Sequence, residues 1–200
     1  TYPFLIAREL DLELYNLAVG GGKTSQAIAE MVADDMERVD YMTVLIGYND
    51  YNGEGITTAE YYDRYLSFLR TIRASHSETE IFCLTLTHTT TVVSAKSGIE
   101  ADAFRQVVIA IVDMLKGEGD DHIFLVHGDS ISSEENLKDA VHFSESGAAL
   151  FASELSAEIK KKMPTVGIED LSAGRKLKIY PNPTDDIAFI EGLPIGTEYC

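Results

Sequence analysis

The sequence predicts one α/β domain, built on a parallel β-sheet with helices on both faces and followed by a short C-terminal β segment. Short apolar runs typical of strands alternate with longer amphipathic runs typical of helices. Apolar strands that alternate with helices favour a parallel sheet that is buried on both sides. A length of 200 residues and a mass of 22.0 kDa fit one ordinary domain plus a small appendage.

The predicted elements follow one another along the first 162 residues. Helical spacing of apolar residues predicts helices over 2–10, 24–39, 58–75, 99–116 and 144–162. Apolar runs predict strands over 12–19, 41–46, 80–86 and 122–126. Three tyrosines on the helix predicted over 58–75 are expected to pack against the rest of the domain: Tyr61, Tyr62 and Tyr65.

Composition and charge exclude several classes of protein. A hydrophobic fraction of 45% with 24% charged residues is typical of a globular chain. The formal net charge of −17 argues against a nucleic-acid partner, because a phosphate backbone requires a basic surface. No apolar run approaches the roughly 20 residues that a membrane-spanning helix needs. The two cysteines, Cys83 and Cys200, are too few for a disulfide framework.

The first residues already have the apolar spacing of a helix, with neither an initiating methionine nor a signal peptide before them. We therefore expect the natural chain to continue upstream of Thr1.

An acid and an imidazole lie three residues apart just before the last predicted helix, in the run KDAVHFSESG. Asp139 and His142 are candidates for a catalytic pair. A carboxylate on one ring nitrogen fixes the tautomer of the imidazole and stabilises the imidazolium, while the other nitrogen accepts a proton from a nucleophile. The alternative interpretation is a chance meeting of the two residues in a surface loop.

Glycines and an asparagine follow two of the predicted strands, where the chemistry of parallel sheets is concentrated. The run Gly20-Gly21-Gly22 precedes a helix, and Asn49 follows the strand predicted over 41–46. Backbone N–H groups of the glycines and the asparagine amide are donors suited to an oxyanion. The alternatives are an ordinary strand-to-helix turn and an asparagine that satisfies its own loop.

Taken in order, the runs NLAVGGG, LIGYND and DAVHFSESG resemble the SGNH (GDSL-type) hydrolases over roughly residues 1–163. The resemblance implies a three-layer, flavodoxin-like fold and an ester hydrolase that needs no cofactor. It also implies that Asn49 is the oxyanion asparagine, Asp139 the orienting acid and His142 the base. Either Gly21 or Gly22 is the oxyanion glycine, depending on the end from which the motif is counted.

The nucleophile departs from the family pattern. In that family, a G-D-S block lies on a central strand before the first helix, whereas this chain begins inside that helix. A later Gly128-Asp129-Ser130 offers Ser130 as a nucleophile in a rearranged site, although this strand lies toward the edge of the family's sheet. The alternatives are a loop serine that completes a common tripeptide and a nucleophile upstream of Thr1.

Two other function classes remain open. Gly21-Gly22-Lys23-Thr24 before a helix has part of the pattern of a phosphate-binding loop, but Leu17 stands where that loop needs a glycine. The second class is a noncatalytic α/β binding module. No histidine spacing supports a metal site.

The alternation of strands and helices ends at Pro164, and turn residues over 164–175 predict a linker. The run KLKIYPNPT and the residues after it form two short β-like runs within 176–200. This run resembles the start of the C-terminal sorting domain of the type IX secretion system of Bacteroidetes-type bacteria. The resemblance implies export through that machinery to the medium or the cell surface. The expected partners are this machinery and a small-molecule or glycan ester.

Overall fold

A computed structural model of the chain describes residues 1–163, 178–180 and 189–191. The chain divides into two units, Thr1–Lys162 and Met163–Cys200. The helices of the first unit are α1 (Tyr2–Leu10), α2 (Gln26–Asp35), α3 (Thr58–Ser75), α4 (Ala101–Gly117) and α5 (Glu145–Lys160). Its strands are β1 (Tyr41–Val44), β2 (Glu80–Leu84) and β3 (Ile123–Val126). Two short turns of helix, a π-helical turn over Asn49–Glu54 and a 3₁₀ turn over Glu134–Asn136, complete it.

The three strands form one parallel sheet in the order β1-β2-β3. Tyr41 pairs with Glu80, and Ile81 pairs with Ile123. Parallel neighbours need a crossover between them, and α3 and α4 provide it. The predicted α/β fold with a parallel sheet is confirmed.

The sheet has apolar layers on both faces. Ile81 and Cys83 of β2 belong to the core cluster that includes the buried sides of α3 and α4. Phe82, between them, is equally buried and packs against Phe124 of β3 with the ring centroids 5.3 Å apart. Successive strand residues face opposite sides of a sheet, so Phe82 lies on the other face. There Lys162, beyond the end of α5, lies 4.2 Å above the Phe124 ring.

Helix α3 has the bounds that its sequence predicts. Thr57 caps it: the Thr57 hydroxyl accepts from the N–H of Glu60 at 3.2 Å, and the Glu60 carboxylate accepts from the N–H of Thr57 at 2.8 Å. Such a cap stabilises a helix by about 1 kcal/mol. Tyr61 and Tyr65 are fully buried, which confirms the expected packing role of these two tyrosines.

The strand predicted over 12–19 is wrong. These residues have no regular structure, and four of their apolar side chains are 40 to 71% exposed: Leu14, Tyr15, Leu17 and Val19. An apolar run becomes a strand only when a neighbour pairs with its backbone. Within the described residues β1 pairs with β2 alone, so this run has no strand beside it.

The helix predicted over 2–10 is confirmed with its exact bounds, and the remaining predicted elements are present with shifted ends. The helix predicted over 24–39 spans Gln26–Asp35, because Met36 is already extended. The strands predicted over 41–46 and 80–86 end at Val44 and Leu84. Across the described residues, no helix combines the length and the apolarity that crossing a membrane requires.

In the second unit, β4 (Lys178–Tyr180) pairs antiparallel with β5 (Phe189–Glu191), and Ile179 lies opposite Ile190. The predicted linker over 164–175 lies outside the described residues, as does most of the sorting segment predicted over 176–200.

Candidate active site

Asp139 and His142 are in direct contact. The Nδ1 atom of His142 lies 2.9 Å from Oδ2 and 3.0 Å from Oδ1 of Asp139. A carboxylate only accepts hydrogen bonds, so Nδ1 carries a hydrogen, and in the neutral ring Nε2 is then the nitrogen that can accept one. The His142 side chain is 69% exposed, so Nε2 is accessible from outside the loop.

The carboxylate of Asp139 is held by the backbone as well. The N–H groups of His142 and Val141 donate to its Oδ1 at 2.8 and 3.0 Å. These two bonds, with the His142 ring, lower the pKa of Asp139 to about 2. Asp139 is therefore ionised at neutral pH, as an acid that orients a histidine must be.

The loop that carries this pair is closed by the start of α5. Ser144 caps the helix, its hydroxyl accepting from the N–H of Gly147 at 3.1 Å and donating to the carbonyl of Asn136 at 3.0 Å. A Cβ at Gly147 would lie 2.0 Å from that carbonyl oxygen, so only glycine fits there. Phe143 packs on Phe151 with the ring centroids 4.7 Å apart. The run HFSESG therefore encodes both the histidine and its support.

A threonine-rich loop after β2 joins the loop that carries Asp139 and His142 to the turn after β1. Thr89 donates its hydroxyl to the carbonyl of Ala140 at 2.9 Å, and the N–H of Thr90 donates to the same oxygen at 3.1 Å. On the other side, the Tyr51 hydroxyl donates to the carbonyl of Thr91 at 2.9 Å. Sequence reasoning missed this role; three consecutive threonines at the end of a predicted strand were the available signal.

Asn49 is the first residue of the π-helical turn after β1 and contacts the glycine loop, residues 21–24. Its Nδ2 donates to the carbonyl of Gly22 at 2.9 Å, which commits one of the two amide hydrogens and leaves the other for a ligand. The N–H of Gly22 donates to the carbonyl of Val19 at 3.0 Å. Gly21 has a φ of 74°, and among the described residues its N–H makes no hydrogen bond. The structure thus brings Asn49 and the two candidate glycines together.

Gly47, two residues before Asn49, is fixed by packing. Its φ is 118°, and a Cβ there would lie 2.3 Å from the hydroxyl oxygen of Tyr61. That hydroxyl donates to the carbonyl of Ile46 at 2.9 Å, and burial raises the pKa of Tyr61 well above its ordinary value. The glycine of the G-x-N-D run therefore lets the strand end lie directly against α3.

The Gly128-Asp129-Ser130 run has a structural explanation of its own. A Cβ at Gly128 would lie 2.3 Å from the carbonyl oxygen of Thr85, and the Thr85 hydroxyl donates to Asp129 at 3.0 Å. Ser130 is exposed. Within residues 1–163, no hydrogen bond joins the hydroxyl of Ser130 to His142. The nucleophilic role of Ser130 stays a prediction that these contacts do not favour.

The groups of the phosphate-loop alternative are engaged within the chain. Lys23 forms an ion pair with Glu54 at 3.0 Å, and Thr24 donates from both its N–H and its hydroxyl to Asp50. The strand that should precede the glycines is absent from the described residues. This alternative therefore loses the structural context that it requires.

A cleft of about 590 Å³ lies at the amino-terminal ends of the strands, opposite the candidate site. Its lining includes Arg73 of α3, together with Ile81 and Ile123 near the amino ends of β2 and β3. Asn49 and Asp139 follow the carboxyl ends of strands, so this cleft is separate from the candidate site. Among the described residues, no group of three or more His, Cys, Asp or Glu side chains is placed to hold a metal ion.

The domain has the fold of the SGNH hydrolases, a parallel sheet covered by helices. Its Asp–His pair and its asparagine lie beyond the carboxyl ends of the strands. The chain belongs to the GDSL-like lipase/acylhydrolase family, whose profile matches residues 1–150. A comparison with curated protein sequences gives no match.

Solved structures with the same fold include a salicylyl-acyltransferase, SsfX3, from a tetracycline biosynthetic pathway (TM-score 0.71, 18% identity, 81% of this chain and 49% of that one). A family two carbohydrate esterase from Clostridium thermocellum, in complex with cellohexaose, has a TM-score of 0.65 and 19% identity, over 80% of this chain and 53% of that one. The aryl esterase of M. smegmatis has a TM-score of 0.66 and 12% identity, over 81% and 85%. The chain spans about half the length of the first two.

Proposed function

We propose that the protein is a secreted serine ester hydrolase that works through an acyl-enzyme, with a Ser-His-Asp triad and an oxyanion hole of glycine and asparagine. The observation that carries this proposal is the contact between Asp139 and His142, with both carboxylate oxygens within 3.0 Å of Nδ1. Family membership supplies the reaction class, ester hydrolysis.

In this mechanism the Nε2 atom of His142 takes the proton of the nucleophilic serine as its oxygen bonds to the ester carbonyl carbon. The imidazolium, stabilised by Asp139, then gives that proton to the departing alcohol, which leaves an acyl-enzyme. Water attacks the acyl-enzyme with His142 again as the base, which releases the acid and regenerates the serine.

The oxyanion formed in both steps is bound by the free amide hydrogen of Asn49 and the N–H of Gly21. We choose Gly21 over Gly22, since the Gly22 N–H is already bonded to Val19. Each such donor contributes roughly a factor of 10² to 10³ in kcat.

The nucleophile has two candidates. Ser130 is one. The other is a serine on a strand outside these 200 residues that pairs with the outer edge of β1. Two observations support the second candidate: β1 pairs only with β2 among the described residues, and Thr43, at its middle, is exposed.

We propose an extracellular glycan ester as the substrate class. Support comes from the carbohydrate esterase among the structures of the same fold and from the K-I-Y-P-N-P-T run, which is typical of type IX sorting domains. Export by that machinery would place the enzyme outside the cell or on its surface. Expression of a tagged full-length protein, followed by fractionation of the cells and the medium, tests the export. Retention in the cytoplasm would contradict it.

The experiment that tests the mechanism is labelling with an organophosphonate serine probe, followed by peptide mass spectrometry. It compares the chain with His142→Ala and Ser130→Ala, and with Ser153→Ala as a matched control on the exposed side of α5. A Ser130 adduct that disappears in His142→Ala would identify Ser130 as the nucleophile. No adduct on a folded chain would assign the nucleophile to a strand outside it. Equal labelling in the chain and in His142→Ala would contradict the role of His142.

A noncatalytic binding module is the second candidate function. It is favoured by one observation: within residues 1–163, no serine hydroxyl donates to Nε2 of His142. A natural full-length protein that binds glycan oligomers but neither reacts with the phosphonate nor hydrolyses aryl acetates would support this module.

A further inference from the structure

Asp50 is a fully buried carboxylate immediately after Asn49. Its Oδ2 accepts from the N–H of Thr24 at 2.9 Å and from the Thr24 hydroxyl at 3.2 Å. Its Oδ1 makes no hydrogen bond among the described residues and lies 3.5 Å from the guanidinium of Arg64. Burying a carboxylate is unfavourable unless it is paired and hydrogen-bonded, so these contacts compensate for that cost.

The contacts of Asp50 and Asn49 converge on one short loop. Asn49 binds the carbonyl of Gly22, and Asp50 binds Thr24, two residues further on. Gly20 and Gly21 are exposed, and residues 12–19 before them form no strand. Two adjacent residues of the π-helical turn therefore hold the segment that carries the candidate oxyanion N–H.

The turn itself is closed through Asp50. Its backbone carbonyl accepts from the N–H groups of Gly55 at 2.9 Å and Ile56 at 3.2 Å. On the solvent side, Glu54, the last residue of the turn, accepts from both terminal nitrogens of Arg64, at 3.1 and 3.2 Å. Glu54 also pairs with Lys23 of the glycine loop at 3.0 Å. The buried contact at Asp50 and the outer contact at Glu54 thus join the same two segments.

We propose that Asp50 is a positioning residue: it fixes the glycine loop over 21–24 against the turn that carries Asn49, and so sets the spacing between the two oxyanion donors. The proposal rests on the proposed function for its catalytic consequence. Asp50 touches neither the substrate nor the reacting atoms. It acts through Thr24 on the backbone of Gly21 and Gly22.

The test measures the hydrogen exchange of the Gly22 and Thr24 N–H groups by NMR, together with the melting temperature. The variants are Asp50→Asn, which removes the charge, and Thr24→Val, which removes the hydroxyl donor at nearly constant volume. Thr24→Ser restores that donor. Asp113→Asn is the matched control, since Asp113 is exposed on α4 and makes no polar contact within residues 1–163. The kcat and KM of ester hydrolysis are measured on the same variants.

We expect exchange of the Gly22 and Thr24 N–H groups, the two in this loop that donate hydrogen bonds, to be about 10-fold to 100-fold faster in Asp50→Asn, as for loss of a charge-assisted hydrogen bond. In Thr24→Val we expect a smaller increase, which Thr24→Ser reverses. The kcat of Asp50→Asn should fall about 100-fold with KM changed less than about twofold, because misplaced donors weaken only transition-state binding. Asp113→Asn should match the unmodified protein in every measurement.

Unchanged exchange of the Gly22 and Thr24 N–H groups in Thr24→Val and Asp50→Asn would overturn the proposal, as would faster exchange with unchanged kcat in an active enzyme. Should Asp50→Asn fail to fold, Thr24→Val and Thr24→Ser decide by the same criteria. A natural full-length protein that hydrolyses no ester would refute the proposed function instead. The exchange rates alone would then decide whether Asp50 holds the loop.

Discussion

Replacing Gly47 with alanine should destabilise the domain strongly, because two separate features of the structure demand glycine there. A φ of 118° is strained for any residue with a Cβ, which costs about 1 to 3 kcal/mol. The new Cβ would also lie 2.3 Å from the Tyr61 hydroxyl oxygen, and overpacking of this kind costs about 1 to 3 kcal/mol. We expect a total of about 2 to 6 kcal/mol, or a melting temperature lower by about 10 °C.

Urea denaturation of Gly47→Ala, Tyr61→Phe and the double variant measures this effect. Tyr61→Phe removes the closest atom but leaves the Ile46 carbonyl without its donor, for about 1 to 3 kcal/mol. Tyr61→Phe relieves part of the overlap with the new Cβ. The free energy of unfolding of the double variant should therefore fall by at least about 0.5 kcal/mol less than the sum of the losses in the two single variants.

Gly117→Ala is the matched control for this prediction. An added Cβ at Gly117, the last residue of α4, has no heavy atom within 4 Å. The free energy of unfolding of the Gly117→Ala domain should equal that of the unmodified domain or exceed it by up to about 1 kcal/mol. A Gly47→Ala domain within 1 kcal/mol of the unmodified one, or strictly additive losses, would refute the argument.

Three further predictions follow from the site and the core. Asp139 has its pKa lowered from 3.8 to about 2, so its pairing stabilises the fold above about pH 4 and that contribution is lost as the pH falls through 2. The stability difference between the chain and Asp139→Asn should therefore shrink between pH 5 and pH 2 in urea titrations, and a constant difference would contradict it. Thr89→Val should lower the free energy of unfolding by about 1 kcal/mol, whereas Thr90→Val, whose exposed side chain makes no hydrogen bond among the described residues, should be neutral; equal effects would contradict the anchoring role. Burial raises the pKa of the Cys83 thiol to about 12, so in a Cys200→Ser background it should react with a thiol reagent only after unfolding.

Local signals in the sequence predicted most of the fold. The Thr57–Glu60 capping box and the apolar spacing after it set the bounds of α3 at both ends. The run over 12–19 has equally clear local character, yet it is not a strand, because strand formation depends on a partner that the run itself does not encode.

The candidate site divides in the same way. Asp139 and His142 are three residues apart, so their contact was accessible to pattern reasoning. The contact of Asp50 with Thr24 and that of Thr89 with Ala140 join residues 26 and 51 positions apart. Such pairs are brought together by strand register and helix packing, and no local pattern marks them.

The difference in sequence separation also sets the order in which the site assembles when the chain folds. The acid–base contact closes a loop of 3 residues, whereas the contact between Asn49 and Gly22 closes one of 27. Closing the longer loop costs about 2 kcal/mol more in chain entropy. During refolding, the imidazole therefore meets its carboxylate early. The two proposed oxyanion donors come together only when the turn after β1 and the glycine loop have docked, so we expect the proposed site to be completed late in folding.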